Sequence, residues 1–320
     1  MAGPKMKIVV LDGYTLNPGD LSWAPLEALG EFTVYDRSTP EQAIERCKGA
    51  EIILINKIKI REQEIEALLS LKYIGLLSTG YDVVDINAAS KRGIIVTNVP
   101  SYGTESVAQM VFALLLELSN NVGLHNEAVK NGEWSGRNDF CFWKRPLIEL
   151  YGKTIGFIGF GRIGQATAKI AKSFGMKVIY FVPKKKIIEE AEWVSLDELL
   201  KGSDIISLHC PLNNDTRGII NTSALEKMKD TALLINTSRG PLINEEDLAS
   251  ALNNDRIAGA GLDVLSIEPP ANTNPLFNAK NCIITPHIAW ATIEARTRLL
   301  NTATKNLKSF LNGKPENTVG

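Results

Sequence analysis

Residues 153–175 read KTIGFIGFGRIGQATAKIAKSFG, and the glycines Gly159, Gly161 and Gly164 inside this stretch decide how the rest of the chain is read. They follow an apolar run and open a segment that places Ala and Ile on one helical face, so the spacing predicts a strand, a tight turn and a helix. In that context each glycine has a task. Gly159 permits the turn, Gly161 lets the backbone approach a pyrophosphate, and Gly164 lets helix pack on strand. The new helix offers free N–H groups to the phosphates. A fingerprint of this kind normally continues to an acidic residue about 20 positions on, at the end of the next strand, where it holds the ribose hydroxyls of NAD. Here the strand MKVIYFV ends at Phe181, Val182 and Pro183, and Lys184, Lys185 and Lys186 come next.

Working outward, short β-branched runs alternate with amphipathic stretches along nearly the whole chain, which predicts parallel sheets with crossover helices. KIVVLD, EFTVYD, EIILIN, YIGLLS and GIIVTN occupy the first third; KTIGFIGF, KVIYFV, DIISLHC, ALLINTS, IAGAGLDV and NCIITPH come after them. The rhythm predicts two α/β domains, and 320 residues exceed what one core usually holds, roughly 250 to 300 residues. Ser106 to Leu118 is apolar on nearly every side, so as a helix it belongs between domains or subunits, or in an ordinary core. A last helix is expected over about Thr292 to Leu311.

Composition narrows the function classes. With 44% hydrophobic and 22% charged residues and a formal charge of −1, the chain is an ordinary globular protein and no general polyanion binder. Cys47, Cys141, Cys210 and Cys282 are far apart and no His stands at metal-ligand spacing, so neither zinc nor a disulfide framework is expected and a reducing cytoplasm fits. No stretch has the ~20 apolar residues of a membrane span. Met6 offers a second start, which would make Met1 to Lys5 an addition.

Three polar residues fall just past predicted strands, where an open parallel sheet places its chemistry. Arg239 follows ALLINTS, Glu268 follows GAGLDVLSI and His287 follows CIITP. Singly they read as a surface cation, a loop charge and a structural ring. Jointly they are the parts needed to reduce a 2-keto acid: Arg239 to hold the carboxylate and polarise the carbonyl, His287 to exchange the proton, Glu268 to orient His287. Asp263 is read either as an acceptor for a nicotinamide carboxamide or as a strand-end cap.

The pieces GFGRIG, LLINTSRGPLINEEDLASAL, AGAGLDVLSIEPP and CIITPHIAW, in this order, resemble the D-isomer-specific 2-hydroxyacid dehydrogenases over essentially the whole chain. The resemblance implies a flavodoxin-like substrate domain of residues 1–99 plus 289–320 around a Rossmann nucleotide domain of residues 100–288, both doubly wound. It implies Arg239, Glu268 and His287 as the catalytic set, and a homodimer built through the nucleotide domains. Substrate contacts are expected from Ser78, Thr79 and Gly80 in LLSTGYDVVD, together with Arg239. Cofactor contacts are expected from Thr104, Gly159, Gly161, Arg162, Ile163, Gly164, Val182, Lys184, Cys210, Pro211, Thr216, Thr237, Ser238, Asp263 and His287.

PSYGTESVAQMVFALLLEL and DFCFWKRPLIEL look most similar to the glycerate dehydrogenase branch, also called hydroxypyruvate or glyoxylate reductases, which implies reduction of a small 2-keto acid with NADP or NAD, dual use included. Phe140 to Trp143 then reads as a pocket closure, from the same or the partner subunit, or as interface core. A D-lactate or phosphoglycerate type remains open, with Lys57 as the one candidate cation for a substrate phosphate near that loop. So does a dinucleotide-sensing corepressor, although the extra terminal segments of such proteins are not seen. Glu268 stands where formate dehydrogenases of this superfamily have Gln, which argues against that branch.

Overall fold

The structure is a computed structural model and describes residues 5–189 and 191–320; Met1 to Pro4, part of the expected addition before Met6, lie outside the described residues. The chain divides into two compact units, one of Met1–Gly103 with Ala291–Gly320 and one of Thr104–Trp290. Each is a parallel sheet with helical crossovers.

The first unit contains β1 (Lys7–Val10), β2 (Glu31–Val34), β3 (Ile52–Ile55), β4 (Tyr73–Leu76) and β5 (Ile95–Thr97), in the order β2-β1-β3-β4-β5. That is the flavodoxin-like order. The central strands β3 and β4 are buried on both faces, which is why they read as unbroken apolar runs. Asp12, just past β1, accepts hydrogen bonds from the N–H groups of Asn56 (2.7 Å), Lys57 (2.6 Å) and Ile58 (3.0 Å), and so fixes the loop after β3. The helix Ile293–Leu311 starts from a Thr292 cap. Its Arg296 forms a two-pronged pair with Asp20 at 2.7 and 2.6 Å and also donates to the Leu16 carbonyl. The C-terminal residues add to the β5 edge, where Val319 N donates to Val96 O and Thr318 bridges Thr97 in antiparallel fashion.

The second unit contains β6 (Thr154–Ile158), β7 (Lys177–Phe181), β8 (Glu192–Trp193), β9 (Ile205–Leu208), β10 (Leu233–Asn236), β11 (Gly259–Leu262) and β12 (Cys282–Ile284). Their order, β12-β11-β10-β9-β6-β7-β8, reverses direction between β6 and β9, the switch point at which Rossmann sheets bind ligands. The short edge strand β8 has no apolar run to betray it in the sequence. The helix Thr104–Asn120 is a core helix of this unit: Val111, Leu115 and Leu118 join Phe157 and Ile235, and Phe112 stacks on Phe174 at 5.2 Å. Gly261 of β11 makes the close approach possible, because a Cβ there would lie 3.0 Å from the Leu114 Cβ. Of the placements open for Ser106 to Leu118, these contacts show the ordinary core one: the unit's own sheet covers the helix, and Gln109 and Ala113 are exposed.

Among the described residues no single helix is long and apolar enough to cross a membrane; Thr104–Asn120 and Val122–Lys130 reach that length only as a pair bent by 55°.

Candidate active site

The carboxyl ends of β10, β11 and β12 lie side by side, and each carries one of the predicted groups onward. Arg239 begins the turn after β10. A Cβ on the next residue, Gly240, would run into the Leu265 carbonyl, so this turn rests directly on the loop that leads to Glu268. Arg239 is exposed, with one guanidinium nitrogen 2.8 Å from the Ser238 carbonyl.

His287 and Glu268 are brought into contact, with His287 Nδ1 2.6 Å from Glu268 Oε2. The other carboxylate oxygen accepts from Leu265 N at 3.1 Å, so Glu268 is itself held in place. A carboxylate can only accept, so Nδ1 carries the hydrogen and Nε2 is the nitrogen left for a reacting proton. Side-chain exposures of 28% for His287 and 37% for Glu268 leave the pair within reach of a substrate.

Asp263 is buried at 1% exposure and is the hub of this corner. Its Oδ1 accepts from Thr285 Oγ1 (2.6 Å) and Ile288 N (2.9 Å), and its Oδ2 from Ala289 N (2.8 Å). Between these donors sits His287, in the left-handed region at φ 55°, its own N–H bonded to the Asp263 carbonyl at 2.8 Å. Few non-glycine residues adopt that backbone unaided. The capping alternative is thus the one these bonds support: the Asp263 carboxylate spans the turn that presents His287. Sequence spacing gave no sign of the Thr285, Ile288 and Ala289 bonds.

At the switch point the glycines have the surroundings their spacing predicts. Gly159 has φ 88°, and a Cβ there would stand 2.5 Å from Cys210 N. The space that a Gly161 Cβ would take is open, and a Gly164 Cβ would meet the Gly159 carbonyl at 3.2 Å. Gly161 caps the helix Arg162–Ser173 with no side chain, and the N–H groups of Arg162, Ile163 and Gly164 donate to no described residue. Ser238 Oγ donates to the Cys210 carbonyl at 3.0 Å, and Thr216 Oγ1 to the Pro211 carbonyl at 2.6 Å, tying the loops after β9 and β10. Thr237 Oγ1 is buried without a partner among the described residues, and a polar group of a ligand would satisfy it. A helix terminus without a side-chain cap, an open glycine cradle and an orphaned hydroxyl together fit a dinucleotide. Thr104 heads the long helix of the same unit.

One neighbour escaped the sequence reading. His209, directly after β9, touches the glycine turn, and its Nε2 lies 2.8 Å from Ser207 Oγ. Burial pushes its pKa down to about 3, so it adds no positive charge beside the phosphate cradle. The same desolvation pushes the Cys210 thiol up to about 11, which makes it an inert wall rather than a nucleophile.

Residues 112–289 match the family model described as D-isomer specific 2-hydroxyacid dehydrogenase, NAD binding domain. The chain belongs to that family. It is an NAD(P)-dependent oxidoreductase, a 2-hydroxyacid dehydrogenase. Among relatives, a hydroxypyruvate reductase of Blautia hydrogenotrophica is 53% identical over 320 residues, covering 98% of this chain and 99% of that one. A glycerate dehydrogenase of Methylorubrum extorquens is 39% identical, covering 98% of each chain. Among solved structures, an acyclic imino acid reductase in complex with NADPH and D-Arg superposes with a TM-score of 0.87 at 36% identity, covering 98% of this chain and 100% of that one. For this 2-hydroxyacid dehydrogenase the glycine cradle and the His287–Glu268 pair are two parts of one sheet edge.

The loop after β4 lies in the first unit. There Ser78 Oγ donates to the Gly80 carbonyl (2.7 Å), Thr79 Oγ1 to the Val99 carbonyl (2.8 Å), and Asn98 Nδ2 to the Thr79 carbonyl (2.7 Å). The hydroxyls and the Thr79 carbonyl are spent on shaping the loop, while the N–H groups of Ser78, Thr79 and Gly80 donate to no described residue.

Proposed function

We propose that this enzyme reduces hydroxypyruvate to D-glycerate and glyoxylate to glycolate, with NADPH or NADH as reductant. The observation that carries this reading is the His287–Glu268 contact beside the Arg239 turn, in a chain 53% identical to a hydroxypyruvate reductase. The bound dinucleotide supplies the hydride. Arg239 holds the substrate carboxylate through charge-assisted hydrogen bonds and draws charge from the adjacent carbonyl. His287 Nε2 donates the proton to the carbonyl oxygen in reduction and takes it back in oxidation. Glu268 keeps the ring's orientation through Nδ1. The backbone of Arg162 to Gly164 and the Thr237 hydroxyl hold the cofactor, with Cys210, Pro211, Thr216 and Ser238 shaping its bed.

A role for the first unit as substrate domain, and for Ser78, Thr79 and Gly80 as carboxylate donors, is supported by the three free N–H groups of that loop. A homodimer is supported by large apolar residues left exposed on the second unit between Val122 and Tyr151, Phe140 at 89% and Trp143 at 66% among them. Four free thiols are consistent with a reducing cytoplasm.

The test is a panel of hydroxypyruvate, glyoxylate, pyruvate and phosphohydroxypyruvate with each reduced cofactor. Hydroxypyruvate and glyoxylate should give the highest kcat/KM. A preference for the phosphorylated substrate would overturn the reading and turn attention to Lys57.

A further inference from the structure

Glu268 stands in a loop without regular structure, between β11 and the short helical turn Pro275–Asn278. A loop holds a side chain less precisely than a helix or strand does, unless something outside it fixes its backbone. Here that is the half-buried carboxylate of Glu245, the first residue of the helix Glu245–Asn253. Its Oε1 accepts from Ser266 N at 2.6 Å and its Oε2 from Asn274 Nδ2 at 2.8 Å, so one side chain closes the loop at its beginning and at its end. The Asn274 amide is held in that orientation, because its Oδ1 accepts from Leu276 N at 3.0 Å.

The peptide group between Leu265 and Ser266 is where the parts of the site meet. A Cβ on Gly240 would strike this peptide, and its N–H is the one that Glu245 accepts. The N–H before it, that of Leu265, goes to Glu268 Oε1 at 3.1 Å, while Glu268 Oε2 faces His287 Nδ1 at 2.6 Å. Gly240 and Glu245 both follow Arg239 closely, across a turn in which Leu242 N donates to the Arg239 carbonyl at 3.2 Å. The Arg239 turn and the Glu268 loop are therefore registered against each other through one peptide, and Glu245 supplies a charge-assisted bond to it. Helix capping does not account for this carboxylate. Asn244 Oδ1 already accepts from Glu246 N at 3.2 Å and Asp247 N at 3.3 Å, and Glu246 and Asp247 also place negative charge in the first turn.

We propose that Glu245 is a positioning residue for the reaction, which sets where Glu268, and through it the His287 ring, stands relative to Arg239. The inference rests on the roles proposed above for those three residues. Glu245 touches neither substrate nor dinucleotide. Arg239 fixes the substrate carboxylate, so a proton donor that drifts by about 1 Å from the carbonyl oxygen costs about 10²-fold in rate. Glu245→Gln leaves one acceptor oxygen for two donors: either Ser266 N or Asn274 Nδ2 then faces an amide nitrogen, and the surviving bond is a neutral one. Glu245→Ala releases both ends of the loop.

Steady-state reduction of hydroxypyruvate, or of whichever of the four keto acids above wild type prefers, tests this in a double-mutant cycle with Glu268→Ala. Glu245→Gln should lower kcat about tenfold and Glu245→Ala about 10²-fold, with the keto-acid KM and the dinucleotide Kd within about threefold of wild type. Glu246→Gln, which removes the same charge from the same turn, should stay within about twofold. In the Glu268→Ala background the Glu245 substitutions should cost less than about twofold, since the group they misplace is gone. Should Glu245→Ala fail to fold by circular dichroism, Glu245→Gln and its pairing with Glu268→Ala decide. Equal losses in both backgrounds would mean that Glu245 only supports the fold, and would overturn the proposal. So would a kcat within about twofold of wild type in Glu245→Gln and Glu245→Ala; either result leaves the reading of Glu268 in place. A Glu268→Ala enzyme as fast as wild type would remove that reading and the proposal with it.

Discussion

Replacing Asp263 by Asn tests whether the buried carboxylate acts by holding the His287 turn. Asn retains one acceptor oxygen. Placed at the Oδ1 position, that oxygen still meets Thr285 Oγ1 and Ile288 N, but the bonds become neutral ones, roughly half as strong. The amide nitrogen then faces Ala289 N, a donor against a donor, 2.8 Å from where the carboxylate had accepted. Ala289 is 3% exposed, so no water replaces the lost acceptor, and a stranded N–H costs about 1 to 3 kcal/mol. Together these give about 2 to 4 kcal/mol, or a Tm lower by roughly 5 to 10 °C. His287, at φ 55°, relaxes once its flanking bonds weaken, and a shift of about 1 Å in a proton donor costs about 10²-fold in rate. The assay is steady-state kinetics on hydroxypyruvate, a thermal melt, and a fluorescence titration of the reduced dinucleotide. We expect kcat to fall about 10²-fold with the dinucleotide Kd within about twofold of wild type. A loss confined to dinucleotide affinity would mean that Asp263 serves the nicotinamide carboxamide instead. A kcat within about threefold of wild type would refute the positioning argument.

His287→Asn removes the proton donor and leaves the glycine cradle intact, so kcat should drop about 10²- to 10⁴-fold while dinucleotide binding, read by calorimetry, stays unchanged. Gly159→Ala puts a Cβ 2.5 Å from Cys210 N on a backbone at φ 88°, and denaturant unfolding should show a loss of about 2 kcal/mol or more together with weakened dinucleotide binding. Asp20 is held below its ordinary value of 3.8, first by the hydrogen bonds from Arg296. A depressed folded-state value contributes stability above the unfolded pKa and loses it as pH falls through the folded one. Asp20→Asn should therefore lower Tm at neutral pH and flatten its decline in acid below about pH 4; an unchanged acid limb in a Tm–pH series would count against the pair.

The alternating rhythm, the glycine cradle and the trio Arg239, Glu268 and His287 were legible in the linear chain because they are local or stand at strand ends. An apolar run predicts a buried strand wherever it occurs, and a parallel sheet delivers the residues just past its strands to one edge. Thus β1 to β7 and β9 to β12 announced themselves, while β8, two residues long and mixed in polarity, did not. Val182 and the lysines after it also showed in the sequence, but that Lys185 lies over an indole ring depends on Trp193, twelve residues beyond the end of β7. The use of Asp263 depends on partners 22 to 26 residues away, delivered by the pairing of β11 with β12. Even the long helix Thr104–Asn120, apolar enough to suggest a second subunit, found its cover in Phe157 and Ile235 of its own sheet. The linear chain thus carried the elements and their chemistry. Which donor meets which acceptor was settled only by tertiary packing, since a hydrogen bond is set by distances of a few tenths of an ångström between groups that only the packed sheet brings together.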